Sequence, residues 1–447
     1  MSTQTTASGA RRTPDVWLAL AVALFALSSV LEFARNTIGI DYYLFWATGM
    51  AVERGEIRDV YDTAENQRVG AIYFQAAQQD ARQRGAREQG TRRLAAANVR
   101  KSFENYSTPL LYALFGFALS GDYERDFDAM QTFSTLLFAA GLVLLARRLG
   151  YSPTASALAL ALCTMLAGPF IDDTSVGNVN RIQVGLLGLC AWLATLRRGA
   201  WSDAATGLVL GLAVLFKPNL AFCVITLIAA WIAAREARRI VALGVGGALA
   251  LALGLGLSAA WFGSLDPWFI WSQRLGGLMP NWASDLGNQS LARVLHDRAG
   301  LSSADWMPPV FLLGACAAFS AGRWLRSKDT QESRDEAPLQ LEVLALGLGA
   351  AASVLSTKLA WFHYYLMLAP LALWLLRPGA SSRAQLALAA LAFVVTMTDI
   401  PRKLLPDAAF EASLALNLGA CTLFALGLLA AGRAVARARS AAASLAG

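Results

Sequence analysis

The chain has 447 residues, of which 56% are apolar and only 15% charged, with a formal net charge of +7; an ordinary soluble domain carries about 25% charged residues. This balance excludes a soluble enzyme and points to an all-α polytopic membrane protein, in which excess positive charge belongs to cytoplasmic loops rather than to nucleic-acid binding. The chain has two histidines, which excludes a multi-histidine metal site, and five widely spaced cysteines (Cys163, Cys190, Cys223, Cys316, Cys421) inside apolar segments, which fit neither a disulfide framework nor a zinc pattern.

Twelve apolar segments are predicted as spans: 15–34, 127–148, 152–171, 180–197, 203–217, 218–235, 238–262, 306–324, 338–357, 360–377, 382–400 and 410–433. The first, "VWLALAVALFALSSVLEFA", lacks a small-residue cleavage site and reads as a retained span of about 20 residues. The fifth and sixth are short and meet at "FKPN". A helical hairpin broken at Pro218 explains them, because proline removes a backbone donor and restricts the residue before it. The glycines of "GVGG" and "GLGLG" lie within apolar spans and read as packing glycines.

The basic clusters "GARR", "ARRLG", "LRRGAW", "REARR", "GRWLRSK", "LRPGASSR" and "GRAVARARS" all fall on one side of an alternating twelve-span path. Both termini are then cytoplasmic, in the cell (inner) membrane. Counting "STPLLYALFGFALS" (107–120) as a span would break this agreement, so it is read as a re-entrant or interfacial helix on the outer side. The whole chain, 1–447, forms a single integral membrane domain with two long extracytoplasmic loops, 35–126 and 263–305. Loops of that length inside compact architectures are usually functional. Within the first, the arginine-rich stretch 77–104 reads as a solvated helical pair or as a surface for anionic lipid heads. The second, "WFGSLDPWFIWSQRLGGLMPNW", has the tryptophans of an interfacial helix. "RSKDTQESRDE" is a solvated cytoplasmic linker.

The unusual polar residues gather on the outer side of this path. Asp41 follows the first span among aromatic residues and is either a helix N-cap or a general base. Tyr42 stands beside it, and Tyr106 lies in "NYSTP". "DDTSVGNVNRIQ" supplies Asp172, Asp173, Asn178, Asn180, Arg181 and Gln183. Asn180 and Gln183 share a helix face, suited to a hydroxyl-rich ligand or to interhelical hydrogen bonds. Arg181, Lys217 and Lys358 are cations at outer span ends, placed to hold a phosphate or to snorkel to headgroups. Asn288 and Gln289 lie in "LGNQSL", and His363 and Tyr364 at a late span mouth. His296, in "ARVLHDR", reads as a residue of a solvated helix.

The ordered pieces "IDYYLFWATGMAVERG", "DVYD", "GNVN", "LRRG", "GLAVLFKPN", "NQSL" and "HYY" together resemble glycosyltransferase family 87, within the class C (GT-C) membrane glycosyltransferases. Two pieces depart from the family pattern: "YSTP" stands where members commonly carry Tyr-Pro-Pro, and Asn178 replaces the usual glutamine. The resemblance implies a GT-C-like bundle of about 12 transmembrane helices with interfacial helices in the first loop. It also implies transfer of a hexose, often mannose, from a polyprenyl-phosphate sugar to a lipid or glycan acceptor on the extracytoplasmic face. The family's aspartate falls on Asp41 as general base, and its late histidine on His363. Tyr42, Tyr106, Asn178, Asn180, Arg181, Gln183, Lys217, Asn288, Gln289, Lys358 and Tyr364 are the expected donor- and acceptor-binding residues. Direct displacement needs one carboxylate and no enzyme nucleophile, and neither a metal nor a cofactor is expected. A secondary transporter or a lipid-linked-sugar flippase is the competing reading; it requires repeats and a midplane site, and no clear repeat is visible. Single cysteines introduced at positions 41 and 363 should react with an impermeant reagent from outside the cell; labelling from the cytoplasm would overturn the topology.

Overall fold

The computed structural model describes residues 12–84, 91–196, 199–274, 287–301, 304–325, 340–379, 382–405 and 408–446, and no strand occurs among them. "RSKDTQESRDE", Arg197 and Arg198 of "LRRGAW", and the 275–286 part of the tryptophan-rich loop lie outside these residues.

Helix α1 (Arg12–Arg35) is followed by four helices of the first long loop: α2 (Ile40–Glu53), α3 (Thr63–Arg84), α4 (Thr91–Val99) and α5 (Pro109–Ala118). Thr108 starts α5 by accepting from the amide of Leu111, with Pro109 at the first helical position, the arrangement in which a proline lacking an N–H is harmless. Helix α6 (Tyr123–Arg148) returns across the bundle, capped by Asp122. Helix α7 (Pro153–Ala161) runs through a π-turn (Leu162–Leu166) into α8 (Gly168–Val176), with a bend of 59°. A π-turn followed by Gly168-Pro169 is a sufficient cause for such a bend.

Next come α9 (Asn180–Thr195), α10 (Ala200–Phe216), a 3-10 turn (Pro218–Leu220), α11 (Ala221–Ala234), α12 (Ala237–Phe262) and α13 (Asp266–Arg274). The break at "FKPN" is where the sequence put it: Lys217 is extended, with φ −150° and ψ 108°, as the residue before a proline prefers. The chain closes with α14 (Leu291–Ala299), α15 (Met307–Ala321), α16 (Leu341–Ser356), a 3-10 segment (Phe362–Leu368) running into α17 (Ala369–Leu376), α18 (Arg383–Met397), the short α19 (Ile400–Leu404) and α20 (Ala409–Ala446).

Four of these helices are long and apolar enough to cross a membrane: α1, α6, α12 and α20; the bent α7–α8 pair makes a fifth. Shorter apolar helices (α10, the 218–234 pair, α15, α16, the 362–376 pair and α18) fall on other predicted spans. The 107–120 segment forms only the ten-residue α5, too short to cross a bilayer. Several outer faces are apolar and exposed, as lipid-facing surfaces are. On α12, Val241, Val245, Leu249, Leu253 and Leu257 are all exposed, each about one turn from the next, so they wind as an apolar band along its outer side.

Helices pack closely where glycine permits. A Cβ on Gly188 would overlap the carbonyl of Gly141, which lets α9 lie directly against α6; Gly246 does the same for α12 against Ala204 of α10. Opposite ends of the bundle carry different chemistry. At one end Arg239 of α12 bonds Asp203 of α10 (2.9 Å), Glu342 of α16 and the carbonyl of Ala194, and stacks over Trp231. At the other end lie Asp41, Asp172, Asn178, Lys217 and His363, mutually linked. Breaking a buried ion cluster by removing one partner strands the others. Arg239→Met should therefore destabilise the detergent-solubilised protein by about 3–5 kcal/mol, and adding Asp203→Asn and Glu342→Gln should recover part of the loss in thermal unfolding.

Candidate functional site

Two glycines in left-handed conformation bring the site together. Gly39 (φ 67°) precedes α2, and Gly177 (φ 69°) ends α8. The amide of Gly39 donates to the carbonyl of Ser175 at 3.2 Å. A Cβ on Gly177 would lie 2.8 Å from Cβ of Tyr42 and 3.2 Å from Cα of Gly39. No side chain larger than hydrogen fits there, and left-handed φ disfavours other residues in any case. The first turn of α2, which carries Asp41, is thereby pressed against the end of α8.

Asp41 does not cap its helix; the N-cap is Gly39, without a side-chain bond. Its carboxylate instead faces two partners. Oδ1 accepts from a guanidinium nitrogen of Arg100 at 2.5 Å, and Oδ2 from the side-chain amide of Asn178 at 2.7 Å. The Asp41 side chain is 16% exposed. Asn178 passes the contact on, because its Oδ1 accepts from Lys217 at 3.3 Å, while Asn180 accepts from the same ammonium at 3.0 Å. The Lys217 ammonium also lies 4.7 Å from the ring centre of Tyr364.

Beneath this chain is a fully buried layer. Asp173 accepts from the backbone amide of Asn180 (3.2 Å) and from Nε of Arg181 (2.8 Å), and Arg181 donates on to Thr135 of α6 (3.1 Å). Both side chains of this pair are wholly shielded from solvent. Gln183 donates to Asn219 at 2.7 Å, which ties α9 to the turn after Lys217. Thr108 of the first loop donates to the carbonyl of Phe216, one of the orphan carbonyls at the end of α10.

His363 closes the opposite wall. Its Nδ1 is 2.9 Å from the Asp172 carboxylate, and its ring lies 5.1 Å from that of Tyr364. Nε2 is buried without a hydrogen-bond partner among the described residues, as are Nδ2 of Asn180 and Oε1 of Gln183. Nη2 of Arg181 is likewise without a partner there, so this locality holds unused hydrogen-bonding capacity, as buried polar atoms elsewhere in the protein also do.

Of the expected site residues, Asp41, Asn178, Asn180, Lys217, His363 and Tyr364 are therefore brought together, with Arg181 and Gln183 as their support. The others are placed elsewhere. Tyr42 is 2% exposed and packs on Phe115, Tyr123 and Phe127. Tyr106 is exposed, and its carbonyl accepts from Trp271. Asn288 bonds the backbone of Lys358 and Ala360, and Gln289 carries backbone bonds from Tyr365 and Asn417. These two strap the chain ahead of α14 to the segment leading to His363. The Lys358 ammonium turns to Asp305 at 2.5 Å. Arg181 is held inside the protein by Asp173 rather than presented to a phosphate. His296 lies on α14 with its Nδ1 2.9 Å from the carbonyl of Leu301.

The arginine-rich stretch forms the end of α3 and all of α4; Arg82 on α3 is exposed to solvent, whereas three arginines further along turn inward. Arg92 bonds Glu124 and Asp128 of α6, Arg93 lies over Trp46, and Arg100 reaches Asp41. Nothing in "ANVRKSFENY" distinguishes Arg100 from its many arginine neighbours, so no sequence signal could have found it.

Lys217 lies at the break between α10 and α11, where Asn178 and Asn180 accept from its ammonium and Asp173 and Asp41 supply neighbouring negative charge.

Comparison with curated proteins and with solved structures finds no match. The profile of Glycosyltransferase family 87 matches residues 107–338, which include Asp172, Asp173, Asn178, Asn180, Arg181, Gln183 and Lys217. The aspartate loop and the His363 segment lie outside the matched range and meet it in space through Asn178 and Asp172. With just over half of its length matched, and with apolar helices built to cross a bilayer, the chain belongs to glycosyltransferase family 87 and is a membrane glycosyltransferase.

Proposed function

We propose that the protein transfers a hexose, mannose by the resemblance, from a polyprenyl-phosphate sugar to a hydroxyl of a glycan or glycolipid acceptor. The reaction takes place at the extracytoplasmic side of a GT-C-like bundle in the cell membrane, by one inverting displacement. The observation that carries this reading is the Asp41 carboxylate. It is fixed at both oxygens, partly open to solvent, and joined through Asn178 to a cation that lies against Tyr364 beside His363.

In the step itself the acceptor oxygen attacks the anomeric carbon while its proton passes to Asp41. The bond from that carbon to the phosphate oxygen breaks on the opposite face, and polyprenyl phosphate leaves with the bonding electrons. One carboxylate is enough for an inversion. The departing phosphate gains charge, and fixed donors aimed at it lower the barrier. Lys217 is one such donor. His363 is the second group at this place: Asp172 engages Nδ1, which leaves Nε2 to face the phosphate. The unpartnered amide groups of Asn180 and Gln183 suit sugar hydroxyls. The lipid chain of the donor would run along the exposed apolar helix faces, which are continuous with the bilayer.

Asp41→Asn keeps the shape and removes the base. Transfer from a synthetic polyprenyl-phosphate mannose to membrane acceptors should fall by about 10²–10⁴-fold, with donor binding retained. Undiminished transfer would remove Asp41 from the mechanism. Mass spectrometry of lipid-linked glycans from cells with and without the protein should reveal one missing hexose; identical profiles would end the reading.

A further inference from the structure

We propose that Arg100, delivered by the arginine-rich segment of the first loop, is a positioning residue for Asp41: with Asn178 it holds the plane of the carboxylate in the orientation that receives the acceptor's proton. The proposal rests on Asp41 being the general base.

The geometry is that of a tether. Arg100 follows α4, and its backbone amide still donates to Ala96 of that helix at 3.0 Å. Helix α4 is itself fastened to the layer below by Arg92, which bonds Glu124, Asp128 and the carbonyl of Arg35, and by Arg93, which pairs with Asp80 and stacks over Trp46. The guanidinium therefore arrives at Asp41 on a rigid support. With Arg100 on one carboxylate oxygen and Asn178 on the other, the plane of the group is fixed. Each oxygen retains a lone pair for an incoming hydroxyl proton.

Few other charges face Asp41. From the end of α8 comes Asp173, already paired with Arg181. From the end of α10 comes Lys217, one amide away through Asn178. The 362–368 segment contributes Tyr364, stacked under Lys217, and His363, which is turned to Asp172. The α6 carboxylates turn elsewhere: Asp126 to Trp46 and Ser120, Glu124 to Arg92. Tyr123 of α6 donates to the carbonyls of Ile38 and Gly39, and Tyr112 of α5 to Asn105. Glu104 lies 3.9 Å from Arg100, but its side chain is 60% exposed against 16% for Asp41. Arg100 is thus the cation in direct contact with the carboxylate, and water screens that contact little. Without it one oxygen loses its anchor and the carboxylate is free to turn, so proton transfer, more than donor binding, depends on this contact.

The experiment is the separation of kcat from the donor KM for transfer, measured on the full-length protein in lipid nanodiscs with Arg100→Ala, Arg100→Gln and Arg100→Lys. Loss of the contact should lower kcat by about 10-fold or more, with the donor KM within about twofold of the parent. Arg100→Lys, which keeps a donor to the carboxylate, should recover part of kcat. A loss confined to KM, or an equal loss of kcat in all three variants, would overturn the proposal and leave Arg100 a structural tie. Should Arg100→Ala not fold, the Gln and Lys pair carries the same comparison, and equal kcat in those two likewise overturns the proposal. Full transfer by Asp41→Asn would instead remove the general-base reading beneath it, a result distinguishable from an Arg100 effect in a protein that needs Asp41.

Discussion

A carboxylate and a guanidinium shut away from water, Asp173 and Arg181, hold the turn between α8 and α9 in one geometry. Removing two charges from water is expensive, and the attraction repays it only when the remaining hydrogen-bonding positions are filled. Here Asp173 takes the first amide of α9 as well as the guanidinium, and Arg181 reaches Thr135 on α6, although its Nη2 has no partner among the described residues. Asn178 and Asn180 flank that locked turn, so their side chains have little freedom. One turns to Asp41 and both turn to Lys217. Loosening the buried pair would release the two amides that surround Lys217, one of which links it to Asp41.

The backbone works in the same direction. Gly39 and Gly177 let two helix ends approach more closely than side chains would permit. Pro218 holds Lys217 extended, so that the chain turns back at the site instead of continuing as one helix. The 59° bend at the π-turn directs α8 across the end of the bundle, where Asp172 meets His363. Each device interrupts a helix at one end of the protein, and the interrupted ends supply nearly every polar group of the pocket. Interrupted helices at membrane depth are tolerated only where protein or water meets the freed backbone groups, and the capping of the Phe216 carbonyl by Thr108 is one such repair.

The two ends of the bundle use charge differently. Arg239, Asp203 and Glu342 form a closed cluster whose members satisfy one another and clamp α10, α12 and α16. At the opposite end the network is left open, with unpaired atoms on Asn180, Arg181, Gln183 and His363. A closed network gives rigidity, whereas an open one keeps hydrogen-bonding capacity in reserve. That contrast separates the clamped end of the molecule from the end that carries the candidate site.

By itself the sequence determined the class of protein, the apolar segments, the break at Lys217-Pro218 and the gathering of polar residues at one set of helix ends. These follow from local composition: long apolar runs, basic flanks and a proline leave few alternatives. It also singled out Asp41, Asn178, Asn180, Lys217, His363 and Tyr364, because polar groups at the ends of apolar segments are rare and costly. Only the tertiary structure decided which of those groups touch. The sequence gives equal weight to Arg181 and Lys217, but burial against Asp173 makes the first a strut, while the extended backbone before Pro218 leaves the second in the pocket. Tyr42 and Tyr43 are adjacent to the acid in sequence, yet helix geometry turns both into the aromatic core. Arg100 sits in a run of arginines, and its partner lies 59 residues away. Nothing local encodes that pairing; it arises because α4 is clamped against α2 and α6, and long-range contacts of that kind are set by packing.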